Sequence, residues 1–325
     1  MKKNKYIIIS AIFLMFSNVS AVRGEISTIT AVSPAAQVLI AKLYSPDEKN
    51  RVNAALKLAD YNNPQVVDAL IASVTRDSDE MVKRVALRSL GYIGSETALP
   101  VILSAIKSES YGVKIEAMGA AVNFSSYAVV SAVAGQITSP NPLVRQKAAV
   151  CLSNLKNSHN VDIIGLLESL LSDISEGVRV AACQGLGRKK SGRAISSLSA
   201  VLFNDRSELV RRYAAEALGD IGDRKSEEFL KKALDDDSPS VRITAAKSLA
   251  VLGSTAGLNE AIEAINSQDA WTRVYSCEII GTIGNKSSVI LLESAARDID
   301  QRVQNAAASA LKQIESRIDK KNYLK

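Results

Sequence analysis

The chain has 325 residues, of which 47% are hydrophobic and only 5% aromatic, and it contains one Trp, one His and three Cys. This apolar content excludes disorder along the whole length. Three cysteines exclude a disulfide framework, and a single histidine excludes a multi-histidine metal centre. The formal net charge of +6 would suit nucleic acid or an anionic membrane, depending on where the charges lie.

The first 21 residues have the layout of a secretory signal peptide. Lys2, Lys3 and Lys5 precede the apolar run Tyr6–Phe16, and small residues follow up to Ala21, after which we expect cleavage. The 11-residue run is about half the length that spans a bilayer, which disfavours an uncleaved anchor. The sequence therefore predicts an exported bacterial protein, periplasmic or secreted. Cleavage would lower the net charge to +3 and leave residues 22–34 as a flexible lead.

An internal repeat of 31 to 34 residues fills the rest of the chain. One register residue marks each of nine units: Asn50, Val82, Val113, Val144, Val178, Val210, Val241, Thr272 and Val303. The residue four positions later is Ala in eight units and Ser in the other, and the residue eight positions later is apolar in every unit. These three positions share one face of a helix, so each unit contains one amphipathic helix.

The predicted helix ends are marked as well. Three positions before each register residue stands an N-cap residue: Asp47, Asp79, Ser110, Asn141, Ser175, Ser207, Ser238, Asp269 and Asp300. Gly94, Gly222 and Gly284 follow apolar helix ends and are predicted to close them in a left-handed turn. A second apolar helix follows in each unit, as in 99–106, so each unit is a helical hairpin that buries its apolar face against its neighbours.

The motif Asp-x-x-x-x-Val-Arg-x-x-Ala-Ala-x-x-Leu-Gly is clearest in Asp205–Gly219, Asp173–Gly187 and Asp77–Gly91. It resembles the HEAT-like repeats named after phycobilisome lyases, over about residues 35–315. The resemblance implies an all-α, right-handed α-solenoid of about eight to nine HEAT-like helical hairpins. Because that family includes enzymes, lyases, scaffolds and transport adaptors, it does not imply one function.

The predicted solenoid spans residues 35–316, opens on a half-repeat and ends in a polar tail at 317–325. The third unit contains Gly112 and Gly119 and lacks the Leu-Gly ending, which predicts a bend. The fourth unit carries a three-residue insertion within 157–165. An irregular region at these two units could form a pocket near Asn123 and His159.

A cation follows the register residue in eight units: Arg51, Lys83, Lys114, Arg145, Arg179, Arg211, Arg242 and Arg273. Such a stripe could bind phosphates or acidic partners. We favour a structural ladder, because Asp77, Asp173, Asp205 and Asp236 lie six residues before the cation of their units and could tie neighbouring turns together. The units of Arg145 and Arg273 lack such an aspartate, and their arginines are expected to be free.

A second basic cluster comprises Arg188, Lys189, Lys190 and Arg193 in the turn of the fifth unit and Arg224 and Lys225 in the equivalent turn of the sixth. Stacked turns would join them into a patch for anionic lipid or an acidic protein face, unless they form only a solvated loop. Trp271 is a further candidate for partner binding, and the alternative is that it packs against the neighbouring turn. Nucleic acid is disfavoured, because the predicted signal peptide implies export and no aromatic residues interleave with the charges.

No catalytic, cofactor-binding or metal-ligating set is predicted, and no cofactor. Cys151, Cys183 and Cys277 fall on apolar or small helix positions and are expected to be buried thiols, although a Cys151–His159 dyad is an alternative. Among the proteins with such HEAT-like repeats, deoxyhypusine hydroxylase is an enzyme that holds two irons with His-Glu pairs. No His-Glu pair occurs in this sequence. The bilin lyases act in the cytosol, which conflicts with the predicted signal peptide.

The sequence therefore favours a non-enzymatic, protein-binding scaffold of the bacterial cell envelope that uses an extended and concave surface. Two alternatives stay open. One is a lyase-like or other accessory enzyme with a pocket at the third and fourth units. The other is peripheral binding of anionic membrane through the basic cluster.

Overall fold

The computed structural model describes residues 32–124, 126–156 and 159–323, with side chains described as far as residue 318. Within these ranges the chain forms 18 α-helices, a few short 3-10 turns and no strand. The first helix of each unit is even-numbered: α2 Glu48–Leu58, α4 Glu80–Ile93, α6 Tyr111–Ala121, α8 Pro142–Asn154, α10 Glu176–Lys189, α12 Glu208–Ile221, α14 Pro239–Val251, α16 Ala270–Ile283 and α18 Gln301–Tyr323. The odd-numbered helices are α1 Pro34–Lys42, α3 Pro64–Arg76, α5 Leu99–Ile106, α7 Tyr127–Ala134, α9 Ile163–Ser169, α11 Ile195–Asn204, α13 Glu227–Lys232, α15 Leu258–Ala264 and α17 Val289–Ala295.

This order confirms the predicted α-solenoid. Helix α1 is a half-repeat, eight hairpins follow as units 1 to 8, and α18 alone forms unit 9. The predicted signal peptide and most of the predicted lead lie outside the described residues. Ser33 caps α1 by accepting the N–H of Ala36. At the other end α18 continues without a break across residue 316, where the sequence predicted a change from solenoid to tail.

The predicted N-caps begin the first helices. Six of the eight caps at units 1 to 8 accept a backbone N–H on their side chain, and Ser175 and Ser238 do not. Asp79 is typical, because its Oδ1 accepts the N–H groups of Met81 and Val82 at 2.8 and 3.2 Å. Each such cap stabilises its helix by about 1 kcal/mol. In unit 9, Asp300 accepts the N–H of Arg302.

The predicted left-handed helix ends are found at two of the three glycines. Gly94 and Gly222 have φ of 70° and 75°, a region that residues with a Cβ avoid. The prediction for Gly284 is wrong, because this residue is extended with φ −69° and ψ 169°. The next residue, Asn285, forms a capping box with Ser288. The backbone at Gly284 must therefore be extended to lead from α16 into the following 3-10 turn. In unit 5 Lys190 adopts the left-handed conformation instead, with φ 50°.

The helices form two layers with the core between them. Most register positions point inward, and Val82, Ala86 and Leu90 of α4 are fully buried, whereas Asn50 is exposed. Second helices complete the core with residues such as Ile102 and Leu198. The first helices pack against one another along most of the stack, whereas the second helices contact each other less.

Glycine brings neighbouring first helices very close. A Cβ added at Gly91 would lie 2.6 Å from the Cα of Ala120 on the next first helix. Gly187, Gly219 and Gly281 stand at the same register and meet the next unit equally closely, with nearest atoms at 2.9, 2.5 and 2.7 Å. A two-layer stack curves toward its more tightly spaced layer, so we infer that the first helices line the inner side of the solenoid.

The irregularities predicted at units 3 and 4 have structural counterparts. The α6–α8 interface is the least extensive between successive first helices in the described chain. Asn123 donates its side-chain N–H to the carbonyl of Gly91 at 2.8 Å and so joins unit 3 to unit 2. In the insertion, His159 and Asn160 have positive φ values of 46° and 66°.

Candidate functional site

Five arginines of the predicted ladder form bidentate ion pairs between successive units. The pairs are Arg51–Asp77, Arg145–Asp173, Arg179–Asp205, Arg211–Asp236 and Arg273–Asp298, with Nε–Oδ2 distances of 2.7–2.8 Å. Each arginine also donates from Nη1 to the carbonyl six residues before it. Each aspartate also accepts the backbone N–H two residues after it. One arginine therefore fixes the turn before its own helix and the turn of the next unit.

The direction of these pairs corrects one prediction. Arg145 and Arg273 are not free, because they bind Asp173 and Asp298 of the following turns. The predicted pairing joined each aspartate to the cation six residues later in its own unit. In the structure Arg179, Arg211 and Arg242 donate instead to the backbone carbonyl of that aspartate. The carboxylate of each of these aspartates binds the arginine of the preceding unit. A spacing of 25 to 28 residues from Arg to Asp would have shown the pairing.

The other three ladder positions differ. Arg242 pairs with Glu260 of its own unit at 3.1 Å. Lys83 and Lys114 form no ion pair within 4.0 Å with any carboxylate of the described residues. After each of these three cations the following turn has a serine at the aspartate position: Ser108, Ser139 and Ser267. The ladder is therefore continuous over units 4 to 7 and interrupted elsewhere.

The ladder arginines lower the pKa values of all five paired aspartates. At Asp205 burial alone would raise the pKa, but the hydrogen bonds from Arg179 and the Ser207 N–H outweigh it. At Asp173 the hydrogen bond from Arg145 is the largest cause of the lowered pKa. The folded chain therefore binds these protons less readily than the unfolded chain does.

This difference predicts a loss of stability in acid. A carboxyl with a lowered pKa contributes its stability above the unfolded value of about 3.9 and loses it as the pH falls through the folded value. We expect the midpoint of thermal unfolding to be level above about pH 5 and to fall steeply below about pH 4. A variant with Arg179→Met and Asp205→Leu should lose less stability over that range. An identical fall of the unfolding midpoint with pH in the natural chain and in the variant would contradict a stabilising role of the ladder.

Arg188 and Lys189 of the basic cluster bind the end of the preceding unit's first helix. Arg188 donates to Asn154 Oδ1 and Ser153 Oγ at 2.5 and 3.2 Å, and Lys189 Nζ donates to the carbonyl of Leu155 at 2.6 Å. These cations lie at the C-terminal end of α8, where the helix dipole favours positive charge. Burial and the charge of Arg188 lower the pKa of Lys189.

Arg193 forms a bidentate pair with Asp162, the N-cap residue of α9. Lys190, Arg224 and Lys225 stay exposed and have no ion pair among the described residues. The patch that a membrane or an acidic protein would meet is therefore smaller than the sequence predicted. Surface charges of this number attract an anionic surface only weakly at physiological salt.

A continuous groove runs along the inner face of units 5 to 9. It joins three depressions of about 320, 320 and 350 Å³ between successive first helices from α10 to α18. A smaller depression shares Glu216 and Asp220 with the first of them and Tyr275 with the second. We call this surface the inner groove. All its lining residues lie on first helices or at their ends, which fix their positions.

Aromatic residues and cations alternate in the inner groove. The Arg212 guanidinium lies 4.5 Å from the ring centroid of Tyr213, Lys247 Nζ lies 3.9 Å from that of Tyr275, and the Arg302 guanidinium lies 4.6 Å from that of Trp271. Trp271 is 54% exposed and Val251 is 66% exposed, so both present apolar surface to a partner. Of the partner-binding residues predicted from sequence, Arg188, Lys190 and Trp271 line this groove.

Two carboxylates lie together in the wall of the inner groove. Glu216 and Asp220 are one helical turn apart on α12, and neither has an ion pair among the described residues. The groove partly desolvates the Glu216 carboxyl and Asp220 repels its charge, so both raise the pKa of Glu216. Like charges at this spacing destabilise a helix by a few tenths of a kcal/mol. A partner with a basic side chain would remove that repulsion.

The three cysteines are buried thiols, as predicted. Burial raises the pKa of Cys151 and Cys277 to about 11 and that of Cys183 to about 12. Cys151 Sγ lies 3.4 Å from the carbonyl of Met118. A thiol with a raised pKa is a poor nucleophile.

These thiols should therefore resist alkylation in the folded protein. Iodoacetamide at pH 8 is expected to modify none of them in the native state and all three in urea, as measured by intact mass. A Thr282→Cys variant, which places a thiol on an exposed position of α16, should react at once and serves as the control. Rapid native modification of Cys151 alone would instead indicate an activated thiol.

Among the described residues, no three His, Cys, Asp or Glu side chains are grouped so that they could hold a metal ion. None of the described helices combines the length and apolarity needed to cross a membrane.

The chain belongs to the family of HEAT repeats, which matches residues 36–119, 99–187, 163–250 and 195–265. It is 28% identical over 192 residues to an uncharacterized phycocyanin operon protein Z of Pseudanabaena tenuis, covering 55% of this chain and 92% of the relative. That likeness agrees with the resemblance to repeats of the phycobilisome-lyase type.

Two solved structures share the fold. The YibA protein of Escherichia coli superposes with a TM-score of 0.57 at 18% identity, over 82% of this chain and 97% of its own. A chain from a complex in which Kap95p binds RanGDP gives a TM-score of 0.59 at 14% identity, over 88% of this chain and 45% of its own. At these identities the likeness shows the fold alone.

Proposed function

We propose that this HEAT-repeat protein is a non-enzymatic scaffold of the bacterial cell envelope that binds an extended segment of a partner protein along the inner groove. The observation that carries the proposal is the continuity of the groove over five units, with exposed apolar residues fixed on rigid helices. An extended segment fits a surface that repeats once per unit, because each unit can contact a few successive residues.

The chemistry of the groove describes the segment it would bind. Trp271 and Val251 offer exposed apolar surface, and tryptophan is among the residues that most often dominate binding energy. Glu216 and Asp220 offer two carboxylates that have no ion pair among the described residues. A segment with apolar side chains and a basic residue would complement both the apolar surface and the two carboxylates. The fold is shared with a chain from the Kap95p–RanGDP complex, which is an assembly of proteins.

Placement in the envelope rests on the first 21 residues alone. Lys2, Lys3 and Lys5 followed by the apolar run Tyr6–Phe16 are the features of an export signal. Fractionation of cells that express the full chain tests this part. We expect the protein outside the cytoplasm with an N-terminus at Val22, and an intact Met1 in the cytoplasm would contradict it.

Affinity capture with matched variants tests the binding proposal. The tagged protein should retain one partner from the envelope fraction, and Trp271→Ala together with Val251→Arg should reduce its capture at least tenfold. Ile290→Arg is the matched control, because Ile290 is 71% exposed on α17 in the outer layer. Equal loss with the control variant, or no loss with the groove variants, would contradict binding in the groove.

The similarity to the phycocyanin operon protein favours a second candidate, a lyase-like accessory role. Coexpression with phycocyanin subunits and a bilin would test it. Covalent bilin attachment that depends on this chain would support this second candidate over the scaffold. An unchanged bilin content would leave the scaffold as the better account.

A further inference from the structure

The joint between units 7 and 8 lacks the ladder contact that fixes its neighbours. Arg242 pairs with Glu260 of its own unit rather than with the following turn. The residue of that turn at the aspartate position is Ser267, which accepts the N–H of Asp269 on its hydroxyl. At the joints on either side, Arg211–Asp236 and Arg273–Asp298 are bidentate pairs across the joint.

The buried core divides at α14, the helix on one side of this joint. One cluster of buried residues extends from Val32 to Leu249, and a second extends from Ile243 to Ile314. Helix α14 contributes to both clusters, and the α14–α16 interface is less extensive than α12–α14 and α16–α18 beside it. The missing ladder pair and the less extensive interface are separate observations, and both distinguish the joint between α14 and α16 from the joints beside it.

An ion pair spans this joint on the inner face. Lys247 of α14 lies 2.7 Å from Glu278 Oε2 and 3.9 Å from the ring centroid of Tyr275, both on α16. The Lys247 and Glu278 side chains are 38% and 45% exposed, against 7% and 9% for Arg179 and Asp205 at the joint between units 5 and 6. Exposed pairs of this kind contribute little and are screened by salt.

We propose that the solenoid flexes between units 7 and 8, with Lys247 as a latch that closes the joint across Tyr275 and Glu278. Opening of the latch separates α14 from α16 and widens the inner groove, because three of its depressions include residues from both helices. The hinge belongs to the free protein and does not depend on the proposed partner. A partner that contacts Lys247, Tyr275 or Glu278 would bind the open and closed forms unequally and so shift their populations.

Pulsed electron–electron double resonance on the free protein, which measures the distance between two spin labels, tests the hinge. One spin-label pair, at Asp220→Cys and Thr282→Cys, spans units 6 to 8 and includes the joint. The control pair, at Gln184→Cys and Val251→Cys, spans units 5 to 7, where both joints carry ladder pairs. All four positions are exposed. The native thiols are buried, and labelling of the unmodified chain measures their background.

We expect a broader distance distribution for the pair across the joint than for the control pair. Lys247→Ala, or an increase in salt, should move the distribution of the pair across the joint toward longer distances. Ser267→Asp combined with Glu260→Gln restores the ladder sequence and releases Arg242, and should narrow the distribution to that of the control. Equally narrow distributions that neither salt nor these variants change would overturn the proposal.

Discussion

Replacing Arg179 with alanine should lower the free energy of unfolding of the units around it by about 3 kcal/mol. The side chains of Arg179 and Asp205 are only 7% and 9% exposed, so the substitution leaves a carboxylate in a poorly solvated turn without its cation. It also removes the donor to the carbonyl of Asp173. Because repeat proteins unfold in parts, the measurement should combine urea titration with hydrogen exchange of α10 and α12.

Arg88→Ala is the matched control for this prediction. Arg88 forms an equally short bidentate pair with Glu116, but its side chain is 58% exposed, so its loss should cost below about 1 kcal/mol. The double variant Arg179→Ala with Asp205→Ala should lose less stability than the sum of the single variants, since no unpaired charge remains. Additive losses, or equal losses for Arg88→Ala and Arg179→Ala, would show that burial of the ladder pair is unimportant.

Gly91→Ala should destabilise units 2 and 3 by about 2 kcal/mol. The added Cβ would stand 2.6 Å from the Cα of Ala120, which is backbone and cannot rotate away. Helices α4 and α6 would have to separate to admit one methyl group. The change in helix propensity favours alanine by about 1 kcal/mol, so overpacking must exceed that gain for the prediction to hold. Thermal unfolding and the crystal structure of the variant would measure both effects.

Gly135→Ala is the control for the glycine prediction. Gly135 ends α7 with φ −63°, and a Cβ there would meet its nearest atom at 3.6 Å, an ordinary contact. We expect this variant to be as stable as the natural chain or slightly more stable. If Gly91→Ala were also neutral, the first helices would not be held as close as the structure shows.

Most of the fold could be predicted because its determinants are local. N-caps, apolar register residues and small residues recur at fixed spacing, and each acts within its own helix or on its immediate neighbour. Predictions failed where a contact depends on how units stack. Arg145 was expected to be free because its partner, Asp173, belongs to the next turn. The predicted left-handed turn at Gly284 is absent because the capping box at Asn285 fixes the backbone that follows.

The candidate site was harder to predict than the fold. Trp271 was identified because it is the only tryptophan, but its neighbours in the groove, such as Val251 and Glu216, come from different units. They share no sequence motif, because exposed positions of a repeat vary while its core positions recur. Conversely, Arg188 and Lys189 form a conspicuous charge run in sequence, yet they cap the end of α8.

Photo-crosslinking in intact cells tests the central claim most directly. A photoreactive amino acid in place of Val251 lies in the inner groove, and one in place of Ile290 lies equally exposed on the outer layer. We predict that the Val251 position yields one dominant protein crosslink in the envelope, that Trp271→Ala reduces it, and that the Ile290 position does not yield it. The same crosslink from Ile290, with none from Val251, would contradict protein binding in the inner groove.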